Sequence, residues 1–111
     1  ERMERCLRTE RLYADEDLTL DKLAASVQIQ PAQLSELLNN VMGVDFRSYV
    51  NDFRISAAKQ MLIQELDRSV LSIGFAVGFN SKSAFNRNFK NIAGQTPAAY
   101  RAAHAQPGKE V

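Results

Sequence analysis

An all-α fold is predicted from three features of the sequence. Its 111 residues include only three prolines and five glycines, so few positions interrupt a helix. No stretch shows the alternation of apolar and polar residues that is typical of half-buried strands. Apolar residues make up 45 % of the chain and recur three and four positions apart, which favours packed amphipathic helices. The prediction is about seven helices, arranged as two helix-turn-helix subdomains joined by a long central helix.

The clearest pattern lies in the second half of the chain. A short helix over 70–77 should end at Gly78, a residue suited to a left-handed helix stop, and Phe79 should then enter the core. Asn80 and Ser81 can cap the next helix, which is predicted over 82–93. Its apolar stripe is Phe85, Phe89 and Ile92, and its opposite face carries Lys82, Ser83, Asn86, Arg87 and Lys90. Two short helices with a basic, amide-rich second helix are typical of a helix-turn-helix that binds a DNA major groove.

Residue types recur at fixed spacing over this region and just beyond it. They are Gly78-Phe79-Asn80-Ser81, Ser83-Ala84-Phe85, Arg87, Phe89-Lys90, Gly94, Thr96-Pro97 and Tyr100-Arg101. This pattern resembles the C-terminal signature of the AraC/XylS family of bacterial transcription regulators, and a weaker resemblance extends from Leu18 to Arg101. The resemblance implies homeodomain-like lobes and sequence-specific binding of double-stranded DNA by the DNA-binding module of a transcription regulator, in the role of an activator.

The first half of the chain contains a related pattern. Residues 2–14 are predicted to form a helix with Met3 and Leu7 inward and Cys6 as a further inward candidate, and Thr19 should cap a helix over 20–26. Pro31 begins a further helix that ends near Met42, with Leu34, Leu37, Leu38 and Val41 as its buried stripe and Gly43 as its stop.

The two patterns form an internal repeat. Equivalent residue types recur at a nearly constant offset. The offset is 50 residues for Leu23 and Ile73, Val27 and Val77, and Ile29 and Phe79. It is 51 residues for Leu34 and Phe85, Leu38 and Phe89, Gly43 and Gly94, and Tyr49 and Tyr100.

A long helix should connect the two repeats. Asp45 is a plausible cap, and Phe46, Tyr49, Val50, Phe53, Ala57 and Met61 recur at helical spacing. A helix of about 20 residues is roughly 30 Å long, close to the ~34 Å of one turn of B-DNA. It can hold two recognition helices in successive major grooves, and the simpler alternative is that it only buries both lobes. We expect it to do both, since its aromatic stripe must pack against something. The predicted organisation is therefore a first lobe over 18–44, a linker helix over 45–65, a second lobe over 68–101 and a flexible tail over 102–111.

The second lobe supplies the main candidates for DNA contact. By the resemblance, Lys82, Ser83 and Arg87 match base-contact positions of the family, and Asn86 lies beside them. The chemistry agrees, because Arg87 can bind guanine O6 and N7, and Asn86 can bind adenine N6 and N7. Ser81, Lys90 and Thr96 are the candidates for phosphate contact.

The first lobe offers weaker candidates. Its matching exposed positions are Ala32, Gln33, Ser35, Glu36 and Asn39, and no basic residue lies between Lys22 and Arg47. Glu36 can accept a hydrogen bond from cytosine N4, but a carboxylate near phosphates lowers affinity. This lobe either reads bases weakly or contributes mainly shape and contacts within a dimer or with RNA polymerase.

Charge is distributed unevenly along the chain. The formal net charge is +1, yet residues 1–50 carry a net charge of −3 and residues 51–111 a net charge of +4. The basic part coincides with the second helix-turn-helix. Phe75, Phe79, Phe85 and Phe89 could resemble a stacking platform for single strands, but their helical spacing favours core packing.

Other functional classes lack support in the sequence. There is no Ser/His/Asp or Cys/His set, no metal-ligand spacing and no glycine-rich phosphate loop, so no enzymatic activity, metal or cofactor is predicted. The competing function is a helical protein-interaction module with weak DNA affinity. The single cysteine, Cys6, fits a reducing cytosol, and no apolar run is long enough to span a bilayer.

The expected partners extend beyond DNA. RNA polymerase is a further candidate partner. The resemblance implies a separate sensing or dimerising domain, which we expect to precede Glu1. That domain would bind a small effector or anchor the full-length protein in a membrane, whereas the present chain is expected to act in the cytoplasm without touching a membrane.

Overall fold

The computed structural model describes residues 2–8 and 11–104, and within these ranges all regular structure is helical. The all-α prediction is therefore confirmed. A turn of 3-10 helix spans Leu12–Ala14, and a π-helical segment, Leu37–Met42, continues α3. The α-helices in the described ranges are α1 (Arg2–Arg8), α2 (Leu20–Ser26), α3 (Pro31–Glu36), α4 (Phe46–Gln64), α5 (Val70–Ala76), α6 (Lys82–Ala93) and α7 (Pro97–His104).

The chain divides into two compact units. The first unit is Glu1–Phe53 and the second is Arg54–Val111, so the boundary falls inside α4. The first unit contains the helix pair α2–α3, and the second contains the pair α5–α6. Each pair is the helix-turn-helix that the sequence predicts for that half of the chain.

The α2–α3 pair of the first unit starts from a local cap. Thr19 Oγ1 accepts a hydrogen bond from the Lys22 amide at 3.1 Å, which satisfies one of the free N–H groups at the start of α2. Leu23 on α2 and Leu34 on α3 are both fully buried, so apolar packing holds the pair together. Leu7 on α1 is also fully buried, as the sequence predicts.

The predicted helix over residues 2–14 is wrong in its extent. α1 ends at Arg8, and Thr9 and Glu10 lie outside the described residues. Arg11 then adopts a left-handed conformation (φ 58°), which is incompatible with a continuing right-handed helix. The chain turns there, forms the 3-10 turn Leu12–Ala14 and buries Tyr13.

The predicted buried stripe of α3 is also partly wrong. Leu34 and Leu38 are buried, but 73 % of Val41 is exposed. The cause is the π-helical segment, in which hydrogen bonds reach five residues back and each turn holds more residues than in an α-helix. Val41 is therefore rotated away from the face that carries Leu38. Gly43 ends the segment in the left-handed conformation (φ 70°), as predicted, and donates its N–H to the Leu38 carbonyl.

α4 begins at the predicted cap. The Asp45 carboxylate accepts a hydrogen bond from the Ser48 amide at 2.7 Å. Hydrogen bonds from the Ser48 backbone and hydroxyl lower the pKa of Asp45 below its ordinary value. Asp45 therefore remains a charged cap at neutral pH, and its contribution to stability is lost only as the pH falls through that lowered pKa.

The apolar positions of α4 differ from the prediction in the second half of the helix. Tyr49 and Val50 are buried in the first unit as predicted. In the second unit the fully buried residues are Ile55, Ala58 and Leu62, which the sequence pattern did not single out. The predicted Phe46, Phe53, Ala57 and Met61 are only half-buried. One helix contributes to two separate cores, and so no single stripe describes it.

The second unit is built around a chain of aromatic rings. Phe79 lies 5.5 Å from Phe85, Phe85 lies 5.8 Å from Phe89, and Phe89 lies 5.5 Å from Tyr100, measured between ring centroids. Phe79, Phe85 and Phe89 are buried, which confirms them as core residues. Phe75 is 51 % exposed and Ile92 41 % exposed, so their predicted places in the core are wrong.

The two helix-turn-helix turns share one hydrogen-bond pattern. In the first unit the Gln28 amide donates to the Ala25 carbonyl at 3.2 Å, and the Ile29 amide donates to the Ala24 carbonyl at 3.1 Å. Residues fifty positions later repeat this pattern, from Gly78 to Phe75 at 3.1 Å and from Phe79 to Gly74 at 3.0 Å. Both Gln28 (φ 61°) and Gly78 (φ 112°) have positive φ, so the turn geometry explains the glycine in the second unit. Backbone geometry thus confirms the predicted repeat.

α7 is fixed to the end of α4 by one side chain. Arg101 Nε donates to the Leu62 carbonyl at 2.9 Å, and a terminal guanidinium nitrogen donates to the Glu65 carbonyl at 3.1 Å. These carbonyls belong to the last turn of α4 and the residue after it, where intrahelical donors are missing. α7 continues to His104, so residues 102–104 are helical instead of part of the predicted tail; residues 105–111 lie outside the described residues.

Removing the guanidinium group of Arg101 should lower the stability of the second unit. We expect Arg101→Ala to lower the free energy of unfolding by about 1–2 kcal/mol, because two carbonyls at the helix end lose a charged donor. Arg101→Lys should recover only part of the loss, since an ammonium cannot reproduce the planar fork of donors. Urea denaturation measures the effect. Equal stability of Arg101→Ala and the exposed-site control Arg5→Ala would contradict this role.

Candidate nucleic-acid interface

α6 is a firmly fixed candidate surface, because both its ends and its inner face are anchored. Ser81 Oγ accepts a hydrogen bond from the Ala84 amide at 3.1 Å, which caps the start of the helix. Gly94 ends it in the left-handed conformation (φ 84°) and donates its N–H to the Lys90 carbonyl at 2.9 Å. Phe85 and Phe89 anchor the inner face in the core. The local signals in the sequence therefore gave the correct bounds of this helix.

The outer face of α6 presents the residues that were predicted to bind DNA. Lys82, Ser83, Arg87 and Lys90 are exposed, and Asn86 is half-buried. Counted from Lys82 they lie at successive turns of the same helix face, and Lys82 and Lys90 are separated by about 12 Å along the axis. The structure thus places five of the predicted residues in one row.

The cations of this row are available for a ligand. The side chains of Lys82, Arg87 and Lys90 form no hydrogen bond or ion pair with any residue in the described part of the chain. Arg68, by contrast, is paired with Glu65 at 3.1 Å and donates to the Ser72 hydroxyl at 2.6 Å. An exposed cation with no intramolecular partner loses no internal contact when it binds a phosphate or a base edge.

Fewer basic side chains of the second unit are available to bind a ligand than the number of positive charges in its sequence suggests. The Arg54 guanidinium lies over the Phe79 ring at 5.5 Å, and the Lys59 ammonium lies over the Tyr100 ring at 5.8 Å. Arg101 is bound to backbone carbonyls of the same unit. Sequence reasoning missed these packing roles, since the spacing of a cation along a chain does not reveal which ring or carbonyl it meets.

Ser81 and Thr96 both act as helix caps. Thr96 Oγ1 accepts a hydrogen bond from the Ala99 amide at 3.2 Å at the start of α7, as Ser81 does for α6. Each hydroxyl oxygen is occupied as an acceptor, and each O–H group can still donate. A donating hydroxyl beside free amides at a helix N-terminus suits an anion such as phosphate.

The corresponding surface of the first unit is different. Ala32, Gln33, Glu36 and Asn39 are exposed and Ser35 is half-buried. Gln33 Oε1 accepts from the Gln30 amide at 3.0 Å and so belongs to the cap of α3. Asn39 Nδ2 donates weakly to Ser35 Oγ at 3.4 Å. Glu36 is the charged residue among these five, and its side chain has no hydrogen-bond or ion-pair partner among the described residues.

Metal binding and membrane insertion find no support in residues 2–8 and 11–104. No group of three or more His, Cys, Asp or Glu side chains there is arranged to hold a metal ion. None of the helices in these ranges combines the length and the apolar composition needed to cross a bilayer.

Comparison with known proteins identifies the family. A family model described as a helix-turn-helix domain matches residues 4–103. The chain is 32 % identical over 100 residues to the regulatory protein PocR of Salmonella typhimurium, covering 90 % of this chain and 33 % of PocR. This chain therefore belongs to the family of AraC-type helix-turn-helix domains, the DNA-binding domains of transcription regulators, as the resemblance in its sequence implies.

Solved structures agree with this assignment. A transcriptional regulator of Chromobacterium violaceum, described as a protein containing an AraC-type DNA-binding domain, has a TM-score of 0.76 and 32 % identity, and the match covers 91 % of each chain. The DNA-binding domain of AdpA has the same fold, with a TM-score of 0.77 at 24 % identity over 94 % of this chain and 93 % of that one. The chain spans a third or less of the length of the first curated relatives that it matches.

Proposed function

We propose that this chain binds double-stranded DNA in a sequence-specific manner, with α6 of the second unit in a major groove. The observation that carries the proposal is the row on α6. Lys82, Arg87 and Lys90 are exposed and have no intramolecular partner among the described residues, while Phe85 and Phe89 fix the other side of the same helix in the core. A rigid helix with free cations on one face matches the shape and charge of a major groove.

Each residue of the row has a role that follows from its chemistry. Arg87 donates two hydrogen bonds to guanine O6 and N7, and Asn86 pairs with adenine N6 and N7. Lys82 and Ser83 contact base edges at the start of the helix. Lys90 neutralises a phosphate, and Ser81 and Thr96 donate to phosphates from helix N-termini, which sets the register on the duplex.

The comparisons support DNA as the ligand. The crystal structure of the AdpA domain is of a complex with a target DNA, and the Chromobacterium protein is described as a transcriptional regulator. The proposal extends these properties to the present chain on the basis of the common fold and the α6 surface.

Finer features of the regulator are proposed with it. The first of these is that the recognition helices of the two units occupy successive major grooves of the duplex. In this proposal the first unit makes the weaker base contacts through Ala32, Gln33, Ser35, Glu36 and Asn39. The full regulator acts as an activator at the bacterial nucleoid, contacts RNA polymerase and carries a sensing or dimerising domain outside this chain.

A protein-interaction module is the competing function. Leu71 and Phe75 lie one turn apart on α5 and are 40 % and 51 % exposed, so they form an adjacent pair of apolar side chains on the surface of this helix. The acidic Glu36 on the first unit also disfavours DNA. In this alternative the chain keeps the fold but binds nucleic acid only weakly.

The salt dependence of duplex binding separates the two functions. A labelled random-sequence duplex pool should first be selected for binding, and the affinity of the selected duplex should then be measured between about 50 and 200 mM salt. Counterion release predicts a slope of log K against log salt of about −1 if Lys90 alone neutralises a phosphate, and up to about −3 if Lys82 and Arg87 also screen phosphates. A flat dependence, or failure of the pool to converge on a sequence, would favour the protein-interaction module.

A further inference from the structure

Glu36 occupies in the first unit the place that Arg87 occupies in the second. α3 begins at Pro31 after its cap Gln30, and α6 begins at Lys82 after its cap Ser81. Counted from these starts, both Glu36 and Arg87 are the sixth helical residue. The buried residues agree with this alignment, since Leu34 and Phe85 are both fourth and Leu38 and Phe89 are both eighth.

The three cations of α6 have no basic counterpart in the first unit. The positions that correspond to Lys82, Arg87 and Lys90 are occupied by Pro31, Glu36 and Asn39. Asn39 and Gln33 are engaged in local hydrogen bonds, and Lys22, the nearest cation before α3 in the sequence, lies 3.8 Å from the Asp15 carboxylate. Glu36 is exposed and has no partner among the described residues, so its negative charge is not neutralised within the unit.

A carboxylate in a major groove restricts what can lie opposite it. It accepts hydrogen bonds but donates none, so it matches only the amino groups of cytosine N4 and adenine N6. Guanine O6 and N7 and thymine O4 are acceptors and oppose it, as do phosphates along any sequence. A residue of this kind discriminates by penalising wrong partners, which is one of the two ways of achieving specificity.

We propose that Glu36 is a negative discriminator: it lowers the affinity of the first unit for DNA in general and rejects sites in which the base nearest to its carboxylate, within the contacted base pair, is guanine or thymine. The inference rests on the proposed DNA-binding function and deepens it. In this arrangement α6 supplies most of the attraction, and α3 supplies selectivity through a penalty that is relieved only by a cytosine or adenine amino group.

The test compares Glu36→Gln with the wild-type chain on two duplexes, the selected site and a random sequence. Glutamine has nearly the same shape, removes the charge and can also donate a hydrogen bond, so it should tolerate guanine. We expect random-duplex affinity to rise about fivefold through loss of repulsion, whereas affinity for the selected site should rise less or fall. Repeating the duplex selection with Glu36→Gln should show relaxed preference at one base pair, with the remaining positions unchanged.

Glu16→Gln is the matched control. It makes the same change of charge at an exposed loop residue outside α3. If Glu36→Gln behaves like Glu16→Gln on both duplexes, or raises both affinities by the same factor without changing the selected sequence, Glu36 does not discriminate and the inference is wrong. Failure of the wild-type chain to show salt-dependent duplex binding would instead overturn the proposed function.

Discussion

Replacing Gly74 with alanine is expected to lower the free energy of unfolding of the second unit by about 1–3 kcal/mol, the usual cost of overpacking a core. A Cβ atom at this position of α5 would lie 2.6 Å from Cδ2 and 2.8 Å from Cγ of Phe85. Both residues are buried, so the ring cannot move into solvent. The steric cost should exceed the gain of up to ~1 kcal/mol in helix propensity that alanine normally brings over glycine.

The first unit suggests how to rescue this variant. Its equivalent pair is Ala24 and Leu34, both fully buried, so a small side chain on the first helix is accepted where the second helix carries leucine. The double variant Gly74→Ala/Phe85→Leu should therefore be more stable than the sum of the single effects predicts, with a favourable coupling of about 1 kcal/mol. Urea denaturation of the four proteins gives this coupling. A Gly74→Ala protein as stable as wild type, or additive effects, would show that the contact does not limit the packing.

Replacing Arg87 with alanine should weaken binding to the selected duplex by about 1–3 kcal/mol and relax sequence preference at one base pair. The physical reason is the loss of a two-donor contact to guanine that lysine or alanine cannot reproduce. Stability should be unchanged, because Arg87 is exposed and its side chain has no hydrogen-bond or ion-pair partner among the described residues. Fluorescence anisotropy with the selected duplex and with single-base variants of it measures both effects.

Lys90→Ala is the matched control for this prediction. Lys90 lies on the same face of α6 but is assigned to a phosphate, so its loss should weaken binding to all duplexes alike and reduce the salt slope by about 1. Identical behaviour of the two variants would argue against base recognition by Arg87. Unchanged binding by a folded Arg87→Ala protein would argue against the docking of α6 in the groove.

The sequence alone was sufficient to predict much of the helix-turn-helix of the second unit. Ser81 and Gly94 determine the start and end of α6 by local backbone chemistry, and the structure has the same bounds. The alternation of faces along α6 follows from helical periodicity, so the exposure of Lys82, Ser83, Arg87 and Lys90 was also predictable. The base and phosphate contacts of these residues are still predictions.

Other features depend on contacts that local patterns do not contain. Nothing in the sequence distinguishes Gly74 from any other glycine in a helix. Only the structure shows that the Phe85 ring packs against it and leaves no room for a Cβ atom. Arg54 and Lys59 count as positive charges in the sequence, but in the structure they pack against aromatic rings, so part of the apparent basic footprint is internal to the unit. The rings that they meet lie more than 20 positions away in the chain.

Local signals therefore determined where most helices begin and end and which face of α6 meets solvent, because caps, left-handed stops and a 3.6-residue period act over a few residues. Tertiary packing decided the rest. It selected Ile55, Ala58 and Leu62 as the buried face of the second half of α4, exposed Val41 through the π-helical segment, and left only part of the positive charge available for a ligand. These outcomes depend on which distant side chains share a core, a property that the order of residues along one helix does not specify.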